Sequence, residues 1–260
     1  MVIVDMRGDT TPLEATIVRA LCQRQPIGLS EAEGLLAIRD VYDTTIIADF
    51  YNPDGSTGPM CGNGGRTLVS WYADQISVAP DMPLRLIVAS TEYSARLIEP
   101  SVVEIVFPPP REHRFYPAGT VAGVMQDLWY VDVGSDHAVL FDPPPTFNAK
   151  QVRFHPMFSR GVNVNMAHVN SESTIDLATF ERGVERVTGA CGTGAISTAF
   201  IAMMLGMVNN PVTIIPPSGQ ALIVTAMPAT ERGIDLALRG ATTYDHPPVE
   251  FSLERHRYLT

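Results

Sequence analysis

Apolar positions recur at helical spacing in "LEATIVRALCQR", residues 13–24, where Leu13, Ile17, Ala20 and Leu21 share one face and predict an early helix. Cys22 lies in that helix and reads as a small packing hydrophobe. Elsewhere the pattern is that of strands. "TTIIADF" (44–50), "PLRLIVAS" (83–90) and "SVVEIVFP" (101–108) are β-branched apolar runs bounded by turn residues. The stretch "FPPPREHRFYPAGT" from Phe107 predicts a break in regular structure and a boundary between two halves. Beyond it the recipe repeats. "DLWYVDVGSDHAVLF" predicts strand, turn and strand; "STIDLATFERG" predicts a strand ending in a charged turn; "AISTAFIAMMLGMV" from Ala195 predicts a buried helix; and "VTIIPPSGQALIVTA" predicts a hairpin-like pair. Two glycine-rich cysteine turns, "NPDGSTGPMCGNGGRT" and "VTGACGTGAISTA", lie half a chain length apart, each opening a predicted helix. That spacing fits an internal duplication, with two α/β halves facing each other.

Composition narrows the function. With 45% apolar residues in a 260-residue chain, real cores are available. A net charge of -10 and a pI near 5.0 argue against nucleic-acid or anionic-membrane partners and toward small molecules. The opening "MVIVDMRGDTTP" lacks the basic and apolar regions of a secretory signal, so a cytoplasmic location is expected. The most apolar helical segment is interrupted by Ser, Thr and Gly and is shorter than the roughly 20 residues of a membrane span. Three cysteines without a C-x-x-C pair suit neither a disulfide framework nor a zinc site, so free thiols and no metal are expected.

The cysteine turns carry the chemistry. Gly62, Gly64 and Gly65 allow close backbone approach behind Cys61, and the helix that follows presents unpaired amide N–H groups. Such an end seats a carboxylate and favours a thiolate. Two of these ends face to face suggest removal of a proton from the carbon beside a carboxylate and its return on the opposite face, with no cofactor. A nucleotide-binding module is the alternative from a different class. It is disfavoured because neither turn has the Lys-Ser/Thr ending of a P-loop or G-x-G-x-x-G spacing.

These residues resemble the diaminopimelate epimerases, within the wider group of cofactor-independent two-cysteine racemases that includes the proline racemases. "NPDGSTGPMCGNGGR" is similar to the family's first signature, and "ERGVERVTGACGTGA" to its second. "VDVGSDHAVLF" and "GVNVNM" are similar to two segments between them. The resemblance implies Cys61 and Cys191 as catalytic thiols with His137 and Glu181 in support. It implies substrate contacts from Asn52, Gly62, Asn63, Asn163, Glu181, Arg182, Gly192 and Thr193. Arg182 could grip a carboxylate through its planar fork and Glu181 could face an ammonium. The implied fold is α/β (α+β), with two pseudo-symmetric domains, each a curved mixed sheet around a central helix, and the site in the cleft between them. Residues 1–110, joined by about 247–260, would form one half and residues 111–246 the other. A homodimer and a closing motion are implied as well.

Four departures bear on the substrate. The chain begins after the place where the family carries a His-Gly-x-Gly-Asn-Asp-Phe strand; Ser135 and Asp136 replace an Asn-Pro pair; the segment from Glu181 to Cys191 is one residue longer than usual, leaving Glu185 unaligned; and Glu33 stands where an Asp is common. The readings are epimerisation of LL-diaminopimelate to the meso form, a same-fold racemase of another amino acid such as histidine, or an inactive relative.

Overall fold

The structure is a computed structural model and describes residues 1–23, 32–77, 79, 81–121 and 123–243. The first half runs β1 (Val2–Asp5), α1 (Ala15–Gln23), β2 (Leu35–Tyr42), β3 (Thr45–Tyr51), α2 (Gly62–Ile76), β4 (Pro83–Val88), β5 (Thr91–Glu99) and β6 (Val102–Phe107). A hairpin of β7 (Glu112–Tyr116) and β8 (Leu128–Asp132) follows. The second half runs β9 (Asp136–Phe141), α3 (Ala149–Arg153), β10 (Asn163–Ser171), β11 (Thr174–Phe180), α4 (Gly192–Met204), β12 (Val212–Ile215), β13 (Leu222–Ala226) and β14 (Leu236–Ala241).

The duplication expected from the cysteine spacing is present strand by strand. β1–β2 and β3–β4 pair parallel, while β2–β3, β4–β5 and β5–β6 pair antiparallel. β9 to β14 repeat this series in the same order and sense. The two series join edge to edge where β6 and β14 pair antiparallel, from Leu236 opposite Phe107 to Ala241 opposite Val102. One curved 14-stranded sheet results, with the β7–β8 hairpin added at the far edge of β9.

Side-chain alternation explains which helix lies on which face. Successive strand residues point to opposite faces. Leu36 and Ile38 pack with Leu68, Val69 and Tyr72 of α2, while Leu35 and Ala37 pack with Val18 and Cys22 of α1. Across the pseudo-symmetry, Val139 belongs to the inner core with Ala195 and Ile196 of α4, and Ala138 and Leu140 pack with Ala149 and Val152 of α3. The inner apolar core is continuous across the seam through Ile105, Leu236 and Leu238, so α2 and α4 share one interior. Cys22 is buried and its thiol is pushed up to about 11 by burial, which suits the packing role expected of it.

Among the elements that the sequence did not predict, two show why. β5 has a clean alternation, with Tyr93, Ala95 and Leu97 buried between exposed Glu92, Ser94 and Arg96, yet its polar half hid it among turn residues. β7 forms inside the proline-rich stretch that was expected to be irregular. It is mostly exposed and owes its extended form to pairing with β8, an interaction that local composition does not encode. The expected return of residues 247–260 to the first half lies outside the described residues. Among the described residues no helix is long and apolar enough to cross a membrane.

Leu238 is fully buried at the seam, against both central helices' first residues. Leu238→Ala is expected to lower stability by about 2–5 kcal/mol, read as a lower urea midpoint with an unchanged slope.

Candidate active site at the paired helix N-termini

Each half delivers its cysteine by the same local route. β3 and β11 end at Tyr51 and Phe180, the chain loops out, and isolated bridges (Tyr51 to Thr57, Phe180 to Val187) close each loop before the cysteine. Cys61 and Cys191 then sit in extended conformation at the N-caps of α2 and α4. The loop is held by Asn52 in the first half, whose N–H donates to the Ser56 carbonyl, and by Glu181 in the second, whose N–H donates to that of Arg186.

The two helix ends meet head to head. A Cβ on Gly62 would lie 3.1 Å from Gly192 Cα, and one on Gly192 would lie 3.0 Å from Gly62 Cα, with Leu238 Cδ2 at 3.2 and 3.0 Å respectively. Glycine is therefore required at both positions by close backbone approach. Asn63 ties the ends together, donating from Nδ2 to the Ala190 carbonyl at 2.7 Å. Its side chain is thus spent on the scaffold, and its N–H is the group it turns toward the Cys61 thiol, alongside that of Gly64. On the other side Gly194 N–H donates to Cys191 Sγ at 3.4 Å, and Thr193 Oγ1 lies 3.6 Å from the same sulfur.

Burial decides the electrostatics. The sequence led us to expect thiolates favoured by helix amides; both thiols are instead pushed up, because the loss of solvent outweighs the amides. Cys191 is raised well above its ordinary value, with burial the main cause and the nearby Glu181 carboxylate the next. Glu181 is itself pushed up to about 7 by burial, while hydrogen bonds from the Thr188 hydroxyl and Cys191 favour its charged form. This carboxyl and the Cys191 thiol share a proton-exchanging neighbourhood at the second helix end.

His137 does not touch either sulfur. It is fully buried in β9, with Nε2 2.9 Å from Ser135 Oγ and Nδ1 3.2 Å from Asn165 Nδ2. Burial pulls it down to about 4, so it is neutral near pH 7. Asn165 passes the connection on, accepting from Thr179 Oγ1 at 3.0 Å and reaching the Gly194 carbonyl at 3.4 Å in the first turn of α4. His137 therefore braces the Cys191 helix from behind.

Asn163 and Arg182 form a second cluster beside Glu181. Asn163 accepts from the Arg182 N–H at 2.9 Å and donates to the Asp136 carbonyl at 3.0 Å, which locks the Glu181–Arg182 turn to β9. The Arg182 guanidinium uses one nitrogen, Nη1, on Asp136 Oδ2 (3.2 Å) and on the carbonyls of Arg160 (2.9 Å) and Gly161 (3.2 Å). Burial raises the Asp136 carboxyl, but hydrogen bonds from Tyr130 and Arg160 outweigh it and hold Asp136 ionised. Glu185, unaligned in the sequence, turns away to pair with Arg153 at 2.6 Å. Asn52 donates from Nδ2 to Ser56 Oγ at 3.0 Å.

Sequence reasoning missed Thr188, Asn165 and Arg66. Thr188 acts through the fold of its own loop onto Glu181, and Asn165 through partners distant in sequence. Arg66 left a readable signal: a charged side chain on the apolar face of α2 with Val69 and Ala73, where it is buried. Among the described residues no group of His, Cys, Asp and Glu could hold a metal ion.

Known proteins share both sequence and fold with this chain. The family model described as "Diaminopimelate epimerase" matches residues 129–232. The diaminopimelate epimerase of Chlorobaculum tepidum is 31% identical over 231 residues, 86% of this chain and 87% of that protein. That of Flavobacterium psychrophilum is 28% identical over 221 residues, 82% and 81% of the two chains. By fold alone, the chain is similar to a hydroxyproline epimerase from Agrobacterium vitis (TM-score 0.65, 15% identity, covering 88% of this chain and 78% of that one). It is similar also to a phenazine biosynthesis protein of the PhzF family from Bacillus anthracis (TM-score 0.66, 9% identity, 92% and 89%).

Two outcomes follow from this geometry. Gly192→Ala is expected to cost about 1–3 kcal/mol, because the methyl meets the Gly62 backbone of the facing helix as well as the tip of Leu238; urea denaturation reads it. Glu181, raised to about 7 from 4.5, contributes stability that is full below about pH 4.5 and is lost as pH rises through 7. His137 acts with the opposite sign between about pH 4 and 6.5. The two effects nearly cancel where their windows overlap, between about pH 4.5 and 6.5, so Glu181→Gln should expose the His137 rise in Tm there and remove the decline above about pH 6.5; an unchanged profile would contradict a buried, raised Glu181.

Proposed function

The chain belongs to the diaminopimelate epimerase family, a family of isomerases, and from that premise we propose that it interconverts LL- and meso-diaminopimelate through Cys61 and Cys191 as opposed acid and base. The observation that carries the proposal is the head-to-head meeting of two equivalent helix N-termini, each capped by a cysteine. A nucleotide-binding module is displaced by the family membership.

In this mechanism the substrate α-carbon sits between the two sulfurs. One thiolate removes the α-proton while the opposite thiol delivers its own to the other face, inverting the centre. The α-carboxylate rests on the N–H groups at the starts of α2 and α4, from Gly62, Asn63, Gly192 and Thr193, where both helix dipoles oppose the charge that builds as the proton leaves. Burial of the site strengthens those interactions and keeps water from quenching the carbanion. No group outside the chain is needed to move the proton, and no cofactor enters the proposal.

Substrate recognition falls to the second cluster. Asn52 and Glu181 occupy equivalent loop positions in the two halves and suit the substrate's ammonium groups, one as a neutral acceptor and one as a carboxylate. Arg182, steadied through Nη1 by Asp136 and two carbonyls, offers its remaining nitrogens to the non-reacting carboxylate, with Asn163 holding its backbone. His137 acts as a brace. The halves are taken as residues 1–110 and 111–246, in keeping with the repeated strand series. A homodimer, a cytoplasmic location and supply of a lysine and peptidoglycan precursor complete the proposal on the strength of the family.

The test is α-proton exchange in heavy water, followed by NMR under reducing conditions, with LL-diaminopimelate and a panel of single-centre L-amino acids. Exchange at one centre of diaminopimelate is expected; exchange only with another amino acid would overturn the substrate. Cys61→Ala and Cys191→Ala should each reduce epimerisation by about 10³-fold or more, and full activity in either would remove the two-thiol mechanism.

A further inference from the structure

The duplication that places the two cysteines is broken at two positions beside them. The fifth residue after Cys61 is Arg66, and the fifth after Cys191 is Ile196. The first residue after β3 is Asn52, and the first after β11 is Glu181. One thiol therefore has a guanidinium in its helix and a neutral amide in its loop, while the other has an apolar side chain and a carboxylate.

Arg66 is an unusual side chain in its own right. It is 4% exposed and faces the seam, with Nε 3.3 Å from where a Cβ on Gly240 would stand. Its hydrogen bonds go to neutral groups, the Gly62 carbonyl at 3.2 Å and Asn63 Oδ1 at 3.0 Å, and Nε has no partner. No carboxylate pairs with it among the described residues. A buried cation without a counter-ion is strongly disfavoured, so the fold must hold an anion near it or tolerate the cost. Cys61 caps the same helix, and the carbonyl that Arg66 Nη1 holds belongs to Gly62, the residue directly after it. Burial draws Arg66 down only to about 10, so it remains protonated at neutral pH.

We propose that Arg66 is a positioning residue for the reaction, the buried counter-charge that favours ionisation of Cys61 over that of Cys191 and so makes Cys191 the protonated partner. The other charged groups facing these sulfurs are carboxylates, which oppose ionisation of both. Cys61 meets Glu181 and Glu33 across the site, together with the amides of Asn63 and Gly64. Cys191 meets Glu181, the Thr193 hydroxyl, the Gly194 amide and Cys61 itself. For Cys191 the Glu181 carboxylate ranks directly after burial among the influences that raise it, so the carboxylate that opposes ionisation acts most strongly on the second sulfur. Asn63 joins the two devices, accepting from Arg66 and donating to the carbonyl just before Cys191.

The inference rests on the two-thiol reading, but its test needs no turnover. Reduced wild-type protein is alkylated with limiting iodoacetamide at pH 7.5, and label at Cys61 and Cys191 is counted by peptide mapping. Below its midpoint each thiol reacts in proportion to its thiolate fraction, so a shift of one pH unit reads as about tenfold. Wild type is expected to label Cys61 in preference. Arg66→Met should lower the Cys61 to Cys191 ratio about tenfold, the size of effect expected from losing one nearby opposite charge, while Arg66→Lys, which keeps the charge, should hold the ratio within about threefold of wild type. A wild-type preference for Cys191 would overturn the proposal, as would an unchanged ratio in folded Arg66→Met or an equal loss in Arg66→Lys. Should Arg66→Met fail to fold, the wild-type preference and Arg66→Lys still decide. Full activity of Cys61→Ala would instead remove the two-thiol reading while leaving the labelling result standing.

Discussion

Two helix N-termini can meet head to head only where neither carries a side chain at the point of contact, and Gly62 and Gly192 meet that condition. Their approach puts two rows of unpaired amides on one small volume and sets a cysteine on either side of it. Everything else in the structure serves to hold that meeting. The β6–β14 seam makes two half-sheets continuous, Leu238 fills the space beneath both glycines, and Asn63 bridges from one helix to the residue before the other cysteine. A cleft between two loosely hinged lobes would need to find this geometry on each closure; a shared interior core fixes much of it in advance.

A duplicated fold gives two equivalent thiols, but a proton-exchanging pair needs one charged and one neutral. Equivalence would leave both in the same state. In our proposal the symmetry is broken in side chains beside the cysteines: the backbone series from β1 to β6 repeats in β9 to β14, while Asn52 answers Glu181 and Arg66 answers Ile196. Burial then amplifies the difference, since a charge that would be screened in water acts strongly in a dry interior. The same burial that raises both thiols also makes their surroundings decisive for which one ionises.

The second cluster shows a comparable economy. Asp136 takes one guanidinium nitrogen of Arg182 and so steadies the rest. Tyr130 and Arg160 keep Asp136 ionised, so the anchor is available across the neutral range.

Much of this was written in the chain. Strand and helix periods identified most elements, and the repeated cysteine turns identified the duplication and both cysteine-capped helix ends, because a short glycine-rich turn must be contiguous to work. The sequence also determined that Cys22 is packing, since it lies on the apolar face of α1. What it did not determine is anything decided by contacts between distant segments. β7 is a strand only because β8 lies beside it. His137 matched a family position, yet its role as a brace depends on Asn165 and the first turn of α4. Asn63 also bridges the two halves through its side chain, which its local sequence does not show. The thiols looked primed by helix amides, whereas their solvation, and hence their acidity, depends on how deeply the two halves bury each other. Local chemistry is legible from neighbours in sequence; desolvation and counter-charge are properties of neighbours in space, and only the tertiary structure supplies those.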